Sequence, residues 1–308
     1  REDRIVGCSV YTKIMSGSTG FEEQVRTQVE RLRTKKLATI EEEVIAKRTA
    51  WFDNQIASNR DFAVNNPGPR FAFETIFFRY MGLQPEDLPV VQENDDEIVW
   101  SSQNACPTLE ACRQLHLDTR VVCRNAYEKS TQALLSRMDP HLRFLRDYRQ
   151  IRPAAKHCLE RIVRVRFEDM MEVAIAEAHQ SRKTGNKGYG AVAALGNQVI
   201  ARGHDTAASE HDPSLHAEVN VLRAANRVLE DVNLSGVILF STCEPCPMCA
   251  SLAVWANVSA IVFGASIEAT AAKGKARILV PALEIVARSP ARIEVIGGVL
   301  EAECLSLY

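Results

Sequence analysis

Two short segments in the second half of the chain most constrain what it can fold into. The segment S-L-H-A-E-V-N contains His216 and Glu218, and the segment S-T-C-E-P-C-P-M-C-A contains Cys246 and Cys249. A catalytic zinc ion takes three protein ligands, with Cys and His among the preferred types, and leaves its fourth position to water. The fold is therefore expected to bring these residues together.

Both pairs of residues are expected at the start of a helix. Apolar residues recur at helical intervals after His216, and Asp212 or Ser214 could cap that helix. Pro245 suits the first turn of a second helix, because the missing N–H of proline costs nothing there. Thiolates are stabilised at such a position by free N–H groups and the helix dipole. Two helix starts that meet would form a three-ligand site with an open face.

The residue types favour a catalytic zinc over other uses of a C-x-x-C pair. Zinc lowers the pKa of its bound water to about 7, and Glu218 is the candidate for moving the water proton. A structural zinc would need a fourth Cys or His, and Cys243 is the spare residue nearby. Cys243 ends the apolar run V-I-L-F-S-T-C, so we interpret it as a buried small residue. A redox role for the pair is the other alternative.

The pattern H-x-E followed by P-C-x-x-C is the signature of zinc nucleobase deaminases. The chain resembles the cytidine-deaminase-like superfamily, in particular its guanine deaminases, tRNA adenosine deaminases and small-molecule nucleoside deaminases. The segments that carry the resemblance are G-Y-G-A-V (188–192), V-I-A-R-G-H-D-T (199–206), D-P-S-L-H-A-E-V (212–219), S-T-C-E-P-C-P-M-C (241–249), I-V-F-G-A (261–265) and I-E-V-I-G-G-V-L-E-A-E-C (293–304).

This resemblance implies a fold, a reaction and a set of site residues. The fold would be a three-layer α/β/α domain with a central mixed sheet, and relatives that complete their pockets across a subunit interface imply a homodimer. The reaction would be hydrolytic removal of an exocyclic amine as ammonia. The implied residues are the zinc ligands His216, Cys246 and Cys249, the catalytic Glu218, and the substrate contacts Asp205, Ala191 and Ala217.

Asp205 departs from the pattern of the family, which often has Asn at this position. An amide both donates and accepts hydrogen bonds, whereas an ionised carboxylate only accepts them. Asp205 is therefore expected to favour a substrate with more N–H donors on the facing edge. The alternative is that Asp205 caps the turn before Thr206 and does not contact substrate.

Three functions compete on this site. The first is a deaminase of a nucleobase, nucleoside or related small aminated heterocycle. The second is a tRNA adenosine deaminase, against which stand the net charge of −2 and the missing G-A-A-G-like turn in residues 267–288. The third is a non-catalytic ligand sensor on the same fold, against which stands the intact Glu218. We therefore expect a small-molecule substrate, and nucleic acid is not the expected partner.

Composition fits an ordinary globular protein of more than one domain. A length of 308 residues suggests two domains, and 46% hydrophobic with 25% charged residues is typical of globular chains. No apolar run approaches the roughly 20 residues of a membrane span, so no membrane partner is expected. Nine cysteines without a recognisable secretory signal indicate a reducing compartment, and we predict a cytoplasmic location.

Residues 161–308 alternate strands and helices, which predicts the layered α/β deaminase domain. A helix in 267–288 should be interrupted by Gly274 and Pro281. Residues 1–160 are predicted to form a mainly helical α+β domain of uncertain role. Within it, we predict one or two amphipathic helices over 21–57, a turn at 65–69, a helix capped by Asp118 or Thr119, and a strand within 142–153.

Part of the N-terminal half resembles the L-2-amino-thiazoline-4-carboxylate hydrolase family. The carrying segments are C-P-T-L-E-A-C (106–112), L-D-T-R-V-V-C-R (117–124) and I-R-P-A-A-K-H-C (151–158). The resemblance implies a second ligand-binding or hydrolytic domain. Its cysteines could hold a metal, supply a nucleophile or pack in the core, and we favour the core; they are Cys106, Cys112, Cys123 and Cys158.

A basic stretch runs through the junction between the two predicted domains. It could form a phosphate-binding surface for RNA, or a solvated or domain-interface face, and we favour the second interpretation. The cations are Arg143, Arg146, Arg149, Arg152, Lys156, Arg161, Arg164 and Arg166.

Overall fold

The boundary between the two halves of the chain follows strand Cys158–Arg164. The structure, a computed structural model, describes residues 18–58 and 67–308 and divides into one unit ending at Arg164 and another beginning at Val165. The boundary predicted after residue 160 falls inside this strand. Residues 1–17 and the first two residues of the predicted turn at 65–69 lie outside the described residues.

The first unit combines helices with one antiparallel sheet, which confirms the predicted α+β class. Its helices are α1 (Ser18–Thr34), α2 (Leu37–Ser58), α3 (Pro69–Phe73), α4 (Pro107–Leu115), α5 (Thr119–Cys123) and α6 (Lys129–Met138). Its strands are β1 (Val90–Glu93), β2 (Glu97–Ser102), β3 (Leu142–Arg146) and β4 (Cys158–Arg164), in the order β1-β2-β4-β3. Shorter π-helical segments follow α3 and α5, at Glu74–Tyr80 and Arg124–Glu128, and a 3₁₀ turn spans Pro85–Asp87.

Local hydrogen bonds explain where these elements begin and end. The Asp118 carboxylate accepts a hydrogen bond from the Arg120 N–H, so Asp118 caps α5 as predicted. The strand within 142–153 stops at Arg146 because the next residues form a turn. In that turn the Asp147 carboxylate accepts from the Arg149 N–H at 2.9 Å.

The core of this unit is built around Trp100. The ring centroids of Phe73 and Phe77 lie 4.8 and 4.9 Å from that of Trp100, and all three side chains are buried. The aromatic run F-A-F-E-T-I-F-F therefore contributes to the core. The chain turns after this run at Gly82, whose φ of +70° is a left-handed conformation that favours glycine.

The interpretation of the basic stretch as a solvated face does not hold for Arg143, which is buried, or for Arg146, whose side chain is 14% exposed. Arg143 is buried and donates to backbone carbonyls, and the buried Glu160 accepts from Arg146. The other ion pairs are Arg161–Glu97 at 3.1 Å and Arg164–Asp139 at 2.7 Å. The acidic partners of Arg146, Arg161 and Arg164 lie 14, 64 and 25 positions away, so no local pattern marks them. The four cations are accommodated within the first unit.

The second unit has three layers around a mixed sheet, which confirms the predicted fold class. Its strands are β5 (Gly190–Leu195), β6 (Gln198–His204), β7 (Val237–Cys243), β8 (Ala260–Ala265) and β9 (Glu294–Ile296), in the order β6-β5-β7-β8-β9. Its helices are α7 (Phe167–Lys183), α8 (Ala217–Leu229), α9 (Pro247–Trp255), α10 (Ile267–Ala272), α11 (Ala282–Ala287) and α12 (Glu301–Leu305). Strand β7 pairs antiparallel with β5 and parallel with β8.

Side chains alternate between the two faces of this sheet and pack on different helices. Phe240 on β7 contacts Phe167 of α7, with ring centroids 5.7 Å apart. Leu239, its neighbour on β7, joins the core that includes Val221 of α8 and Ala253 of α9. The sheet is therefore covered by α7 on one face and by α8 and α9 on the other. Within residues 18–58 and 67–308, no helix combines the length and apolar character that crossing a bilayer requires.

Gly190 allows α7 to approach the sheet closely. A Cβ at this position would lie 2.0 Å from the carbonyl oxygen of Ala174 and 2.4 Å from the backbone nitrogen of Ala178. Both atoms belong to the backbone of α7 and cannot turn away. We expect Gly190→Ala to lower the free energy of unfolding of the second unit by about 1–3 kcal/mol. Urea unfolding followed by hydrogen exchange of peptides from α7 and β5 measures this loss.

Gly68→Ala is the matched control for that measurement. A Cβ at Gly68 meets no atom within 4 Å, and its φ of −69° is open to any residue. We expect this variant to unfold at nearly the wild-type urea concentration. Equal stability of Gly190→Ala and wild type would contradict the close packing of α7 on β5.

Candidate active site

Two residues that begin helices face each other in the second unit. His216 is the N-cap of α8 and Cys246 is the N-cap of α9, and both have extended backbone angles. Neither side chain caps its own helix, so both are free to point towards a common centre. The predicted helix starts are confirmed, although the predicted details differ.

The predicted caps of α8 were wrong because the preceding loop uses them. The Asp212 carboxylate accepts hydrogen bonds from the N–H and the hydroxyl of Ser214, at 2.8 and 2.7 Å. These bonds close the loop before the helix. In α9, Pro247 rather than Pro245 occupies the first helical position, because Cys246 between the two prolines takes the N-cap conformation.

His216, Cys246 and Cys249 form a compact group of ligand atoms. The Nδ1 atom of His216 lies 3.6 Å from Cys246 Sγ and 3.5 Å from Cys249 Sγ, and the two sulfur atoms are 3.7 Å apart. A tetrahedral zinc has Zn–S near 2.3 Å and Zn–N near 2.0–2.1 Å, which separates two sulfurs by about 3.8 Å and sulfur from nitrogen by about 3.5 Å. The three atoms thus fit three corners of a zinc tetrahedron.

Cys243 does not join this group. Its side chain is buried, as predicted, and lies 3.8 Å from Thr270 Oγ1. Among the described residues, His216, Cys246 and Cys249 are the one set of His, Cys, Asp and Glu side chains whose ligand atoms lie within 4.8 Å of one another. The four cysteines of the first unit form no such set, so the structure gives no support to a second metal there.

The ligand group holds protons that a metal ion would displace. Hydrogen bonds from Cys249 and His216 lower the pKa of Cys246 to about 4. The same shared hydrogen bond, together with burial, raises the pKa of Cys249. Cys249 is therefore the harder of the two thiols to deprotonate. Metal binding requires both thiols to be deprotonated, so uptake of a cation releases the proton of Cys249.

Glu218 lies buried in the first turn of α8, directly beside the ligand group. It follows Ala217, and its Oε1 atom accepts a hydrogen bond from Ser241 Oγ at 3.1 Å. Burial raises the pKa of Glu218 above that of an ordinary carboxyl group. A carboxyl group with a raised pKa is suited to accept a proton and then return it near neutral pH.

The predicted substrate contacts lie close to Glu218 in the fold. Ala191 on β5 pairs with Ser241 on β7, and Ala217 immediately precedes Glu218. Asp205 is 1% exposed, and its Oδ1 atom accepts a hydrogen bond from the Ala207 N–H at 3.3 Å. This bond is the turn contact considered for Asp205 in the sequence. Contact of these residues with substrate stays a prediction.

Several residues around the site were missed in the sequence. Ser241 donates to Glu218, which lies 23 positions away in sequence, so no local pattern marks this contact. The buried Glu244 accepts hydrogen bonds from the N–H groups of Ile267 and Ala282, at 3.0 and 2.9 Å. It thereby ties the starts of α10 and α11 to the end of β7. No local sequence pattern predicts this role, because the two N–H groups lie 23 and 38 positions away in sequence.

Known proteins are similar to this chain in the second unit. The family described as "Cytidine and deoxycytidylate deaminase zinc-binding region" matches residues 165–265. The tRNA-specific adenosine deaminase of Bacillus subtilis (strain 168) is 36% identical over 134 residues, which is 44% of this chain and 81% of that protein.

Two guanine deaminases also match. That of Bacillus subtilis (strain 168) is 39% identical over 77 residues, which is 25% of this chain and 49% of that protein. A solved structure of guanine deaminase from Nitrosomonas europaea is 22% identical to this chain. The match covers 46% of this chain and 82% of that chain, with a TM-score of 0.42.

The ligand group makes a prediction about metal content. We expect the purified wild type to carry about one zinc ion per chain, and Cys246→Ser and Cys249→Ser to lose most of it, because each removes one of three ligands. Elemental analysis of zinc per chain measures the result. Cys243→Ser is the matched control, since it changes a neighbouring buried thiol outside the group. If Cys243→Ser lost zinc as completely, the site would have a fourth sulfur ligand.

Proposed function

Because the chain belongs to the deaminase family defined by the cytidine and deoxycytidylate deaminase zinc-binding region, we propose that it releases ammonia hydrolytically from a small aminated heterocycle. The substrate class comprises nucleobases, nucleosides and related rings. One observation carries the proposal. The buried carboxylate of Glu218 lies beside three ligand atoms spaced as corners of a zinc tetrahedron.

In this proposal the zinc ligands are His216, Cys246 and Cys249. Bound zinc supplies a water molecule with a pKa lowered to about 7 and leaves one position open for it. The helix starts at His216 and Cys246 support the site, because free N–H groups and the positive ends of α8 and α9 favour the negative sulfur atoms.

Glu218 moves the protons of the reaction. A C–O bond forms between water and the ring carbon, the C–N bond to the exocyclic amine breaks, and the amine leaves as ammonia. The Glu218 carboxylate accepts a proton from the water and passes it to the ring nitrogen. It then carries the second water proton from the new hydroxyl group to the amine, so that the ring carbon keeps the oxygen as a carbonyl and the amine leaves as ammonia. The hydrogen bond from Ser241 fixes the orientation of one carboxylate oxygen. The raised pKa of Glu218 suits a group that acts first as a base and then as an acid.

The substrate ring would lie against Ala191 and Ala217. Both residues are small and fully buried. Asp205 would accept hydrogen bonds from N–H groups of the ring, because a carboxylate can accept further bonds besides the one from Ala207. A homodimer and a cytoplasmic location stay predictions from the sequence.

A second candidate function is deamination of adenosine in tRNA. It is favoured by the Bacillus subtilis relative, a tRNA-specific adenosine deaminase that is matched over 81% of its length. The guanine deaminase of the same organism is matched over 49%. The net charge of −2 argues in the other direction, because binding to a nucleic acid backbone depends on positive charge.

Glu218→Gln separates an enzyme from a ligand sensor. We expect this variant to keep its zinc and to lose turnover by roughly 100- to 10,000-fold, the usual contribution of a positioned proton donor and acceptor. Ammonia release is measured with free bases, nucleosides, aminotriazines, aminopterins and a tRNA transcript, and zinc content is measured in parallel. Release from one small heterocycle that vanishes in the variant supports the proposal. Release from the transcript alone supports the tRNA function, and equal release by both proteins would contradict the role of Glu218.

Asp205→Asn tests the substrate contact. The amide gains an N–H donor where the carboxylate only accepts, so we expect the ratio of kcat/KM values to shift towards rings that present an acceptor. A shift of about tenfold corresponds to one hydrogen bond of ordinary strength. The ratio is measured with pairs of rings that differ in one amino or carbonyl group. An unchanged ratio would mean that Asp205 serves only the turn at Ala207.

A further inference from the structure

Arg277 is held in a fixed position by the second unit. It lies in the loop between α10 and α11, and its guanidinium carbon is 4.8 Å from the ring centroid of Tyr189. The Nε–H group donates to Thr270 Oγ1 at 3.0 Å. The Nη2 group donates to the Tyr189 hydroxyl and lies 3.6 Å from Cys243 Sγ. Three side chains thus fix one edge and one face of the guanidinium.

The charge of Arg277 has no carboxylate partner among residues 18–58 and 67–308, and its Nη1 atom has no hydrogen bond there. The neighbouring groups are neutral, since burial raises the pKa of the Cys243 thiol to about 11 and also raises the pKa of Tyr189. The side chain is half-buried. A guanidinium cannot lose its proton, and partial burial of an unpaired charge costs free energy. By contrast, the half-buried Arg146 and Arg164 each pair with a carboxylate, that of Glu160 and that of Asp139.

This cation and the proposed catalytic carboxylate both contact β7. Ser241 and Cys243 lie on the same face of β7 and are separated by about 7 Å along the strand. Ser241 donates to Glu218, and Cys243 contacts Arg277. Glu218 and Arg277 therefore each contact a side chain on the same face of β7, and these two side chains are two residues apart.

Tyr189 connects Arg277 to the predicted substrate contacts. It directly precedes β5, and its carbonyl oxygen accepts a hydrogen bond from the Asp205 N–H at 3.0 Å. Its side chain packs against the core formed by β5, β7, α8 and α9. The backbone of Tyr189 thus supports Asp205 while its ring supports Arg277.

The loop that carries Arg277 is anchored at both of its neighbouring helices. The Glu244 carboxylate binds the N–H groups of Ile267 and Ala282, which begin α10 and α11. Glu244 itself is buried and lies two residues before the ligand Cys246. Arg277 is therefore positioned before any ligand arrives, which lowers the entropic cost of binding one.

We propose that Arg277 determines substrate specificity by binding an anionic substituent, a carboxylate or a phosphate, on the aminated heterocycle. The planar guanidinium matches the geometry of both groups, and its Nη1 donors are available. The proposal rests on the deaminase function proposed above and narrows its substrate class. Asp205 would contact N–H groups of the ring, and Arg277 would contact the charged substituent.

Binding to matched pairs of compounds tests this assignment. Zinc-loaded Glu218→Gln protein, which is not expected to turn over its ligand, is titrated by calorimetry with pterin and pterin-6-carboxylate, cytidine and CMP, and guanosine and GMP. The same titrations are made with double variants that combine Glu218→Gln with Arg277→Gln, Arg277→Lys or Arg202→Gln. Arg202 is an exposed cation on β6 and serves as the matched control for the loss of one charge.

We expect the anionic member of one pair to bind more tightly than its neutral partner. Arg277→Gln should weaken binding of the anionic member by roughly 10- to 100-fold, the range of a hydrogen bond to a charged group. The Kd of the neutral member should stay nearly unchanged. Arg277→Lys should retain part of the difference, and Arg202→Gln all of it. A response in the pterin pair identifies a carboxylate, and a response in a nucleotide pair identifies a phosphate.

Two results would overturn the assignment. One is an equal loss for both members of a pair in Arg277→Gln, which means that Arg277 only supports the fold. The other is no preference for the anionic member in any pair. Ammonia release by the protein with Glu218 intact separates this outcome from failure of the deaminase. If the anionic compound binds more tightly but no ammonia is released, the anion site stands and the proposed deaminase function is wrong. If ammonia is released at a rate that depends neither on the substrate's charge nor on Arg277, the deaminase function stands and the anion site is wrong.

Discussion

The convergence of two helix starts is the constraint on which the site depends. His216 and Cys246 occupy N-cap positions, yet neither side chain caps its own helix. Their side chains instead meet Cys249 from the first turn of α9, at separations of 3.5–3.7 Å. Uncapped helix starts leave backbone N–H groups and positive dipole ends near the sulfur atoms. Each helix therefore lacks a side-chain cap, and its free N–H groups instead stabilise the thiolates that bind a metal ion.

The surrounding sheet fixes the positions of the side chains in the site. Strand β7 is buried along its whole length between β5 and β8, so its end is fixed on both sides. Ser241 near that end holds Glu218, and Glu244 just beyond it holds the starts of α10 and α11. Gly190 lets α7 close the opposite face. A site built on a rigid strand and two helix starts can keep its groups within a few tenths of an ångström.

Much of the site could be predicted because its chemistry is local in sequence. Cys246 and Cys249 are three residues apart and His216 and Glu218 two apart, so residue type and spacing were enough to identify them. Strand and helix alternation likewise predicted the α/β unit, and a break at Gly274 and Pro281 separates α10 from α11 as expected. The proline of α9 was misplaced because P-C-P offers two prolines with the same local pattern, and only the backbone angles of Cys246 decide between them.

The remaining features depend on contacts between distant parts of the chain. Arg277 meets Tyr189 across 88 positions, and Arg161 meets Glu97 across 64. No periodicity marks such pairs. The sequence therefore predicted a solvated or interface face for the basic stretch of residues 143–166. Three of its cations, Arg146, Arg161 and Arg164, instead have acidic partners within the first unit. In the same way, the lack of a carboxylate partner for Arg277 among the described residues becomes visible only when its neighbours in the fold are known.

X-ray absorption at the zinc edge tests the central claim most directly, because it counts the ligands of the metal. The account predicts two sulfur atoms near 2.3 Å and two nitrogen or oxygen atoms near 2.0–2.1 Å, which correspond to Cys246, Cys249, His216 and one water. Three or four sulfur ligands would indicate a closed structural site without a position for water. That result would contradict a hydrolytic deaminase at this centre.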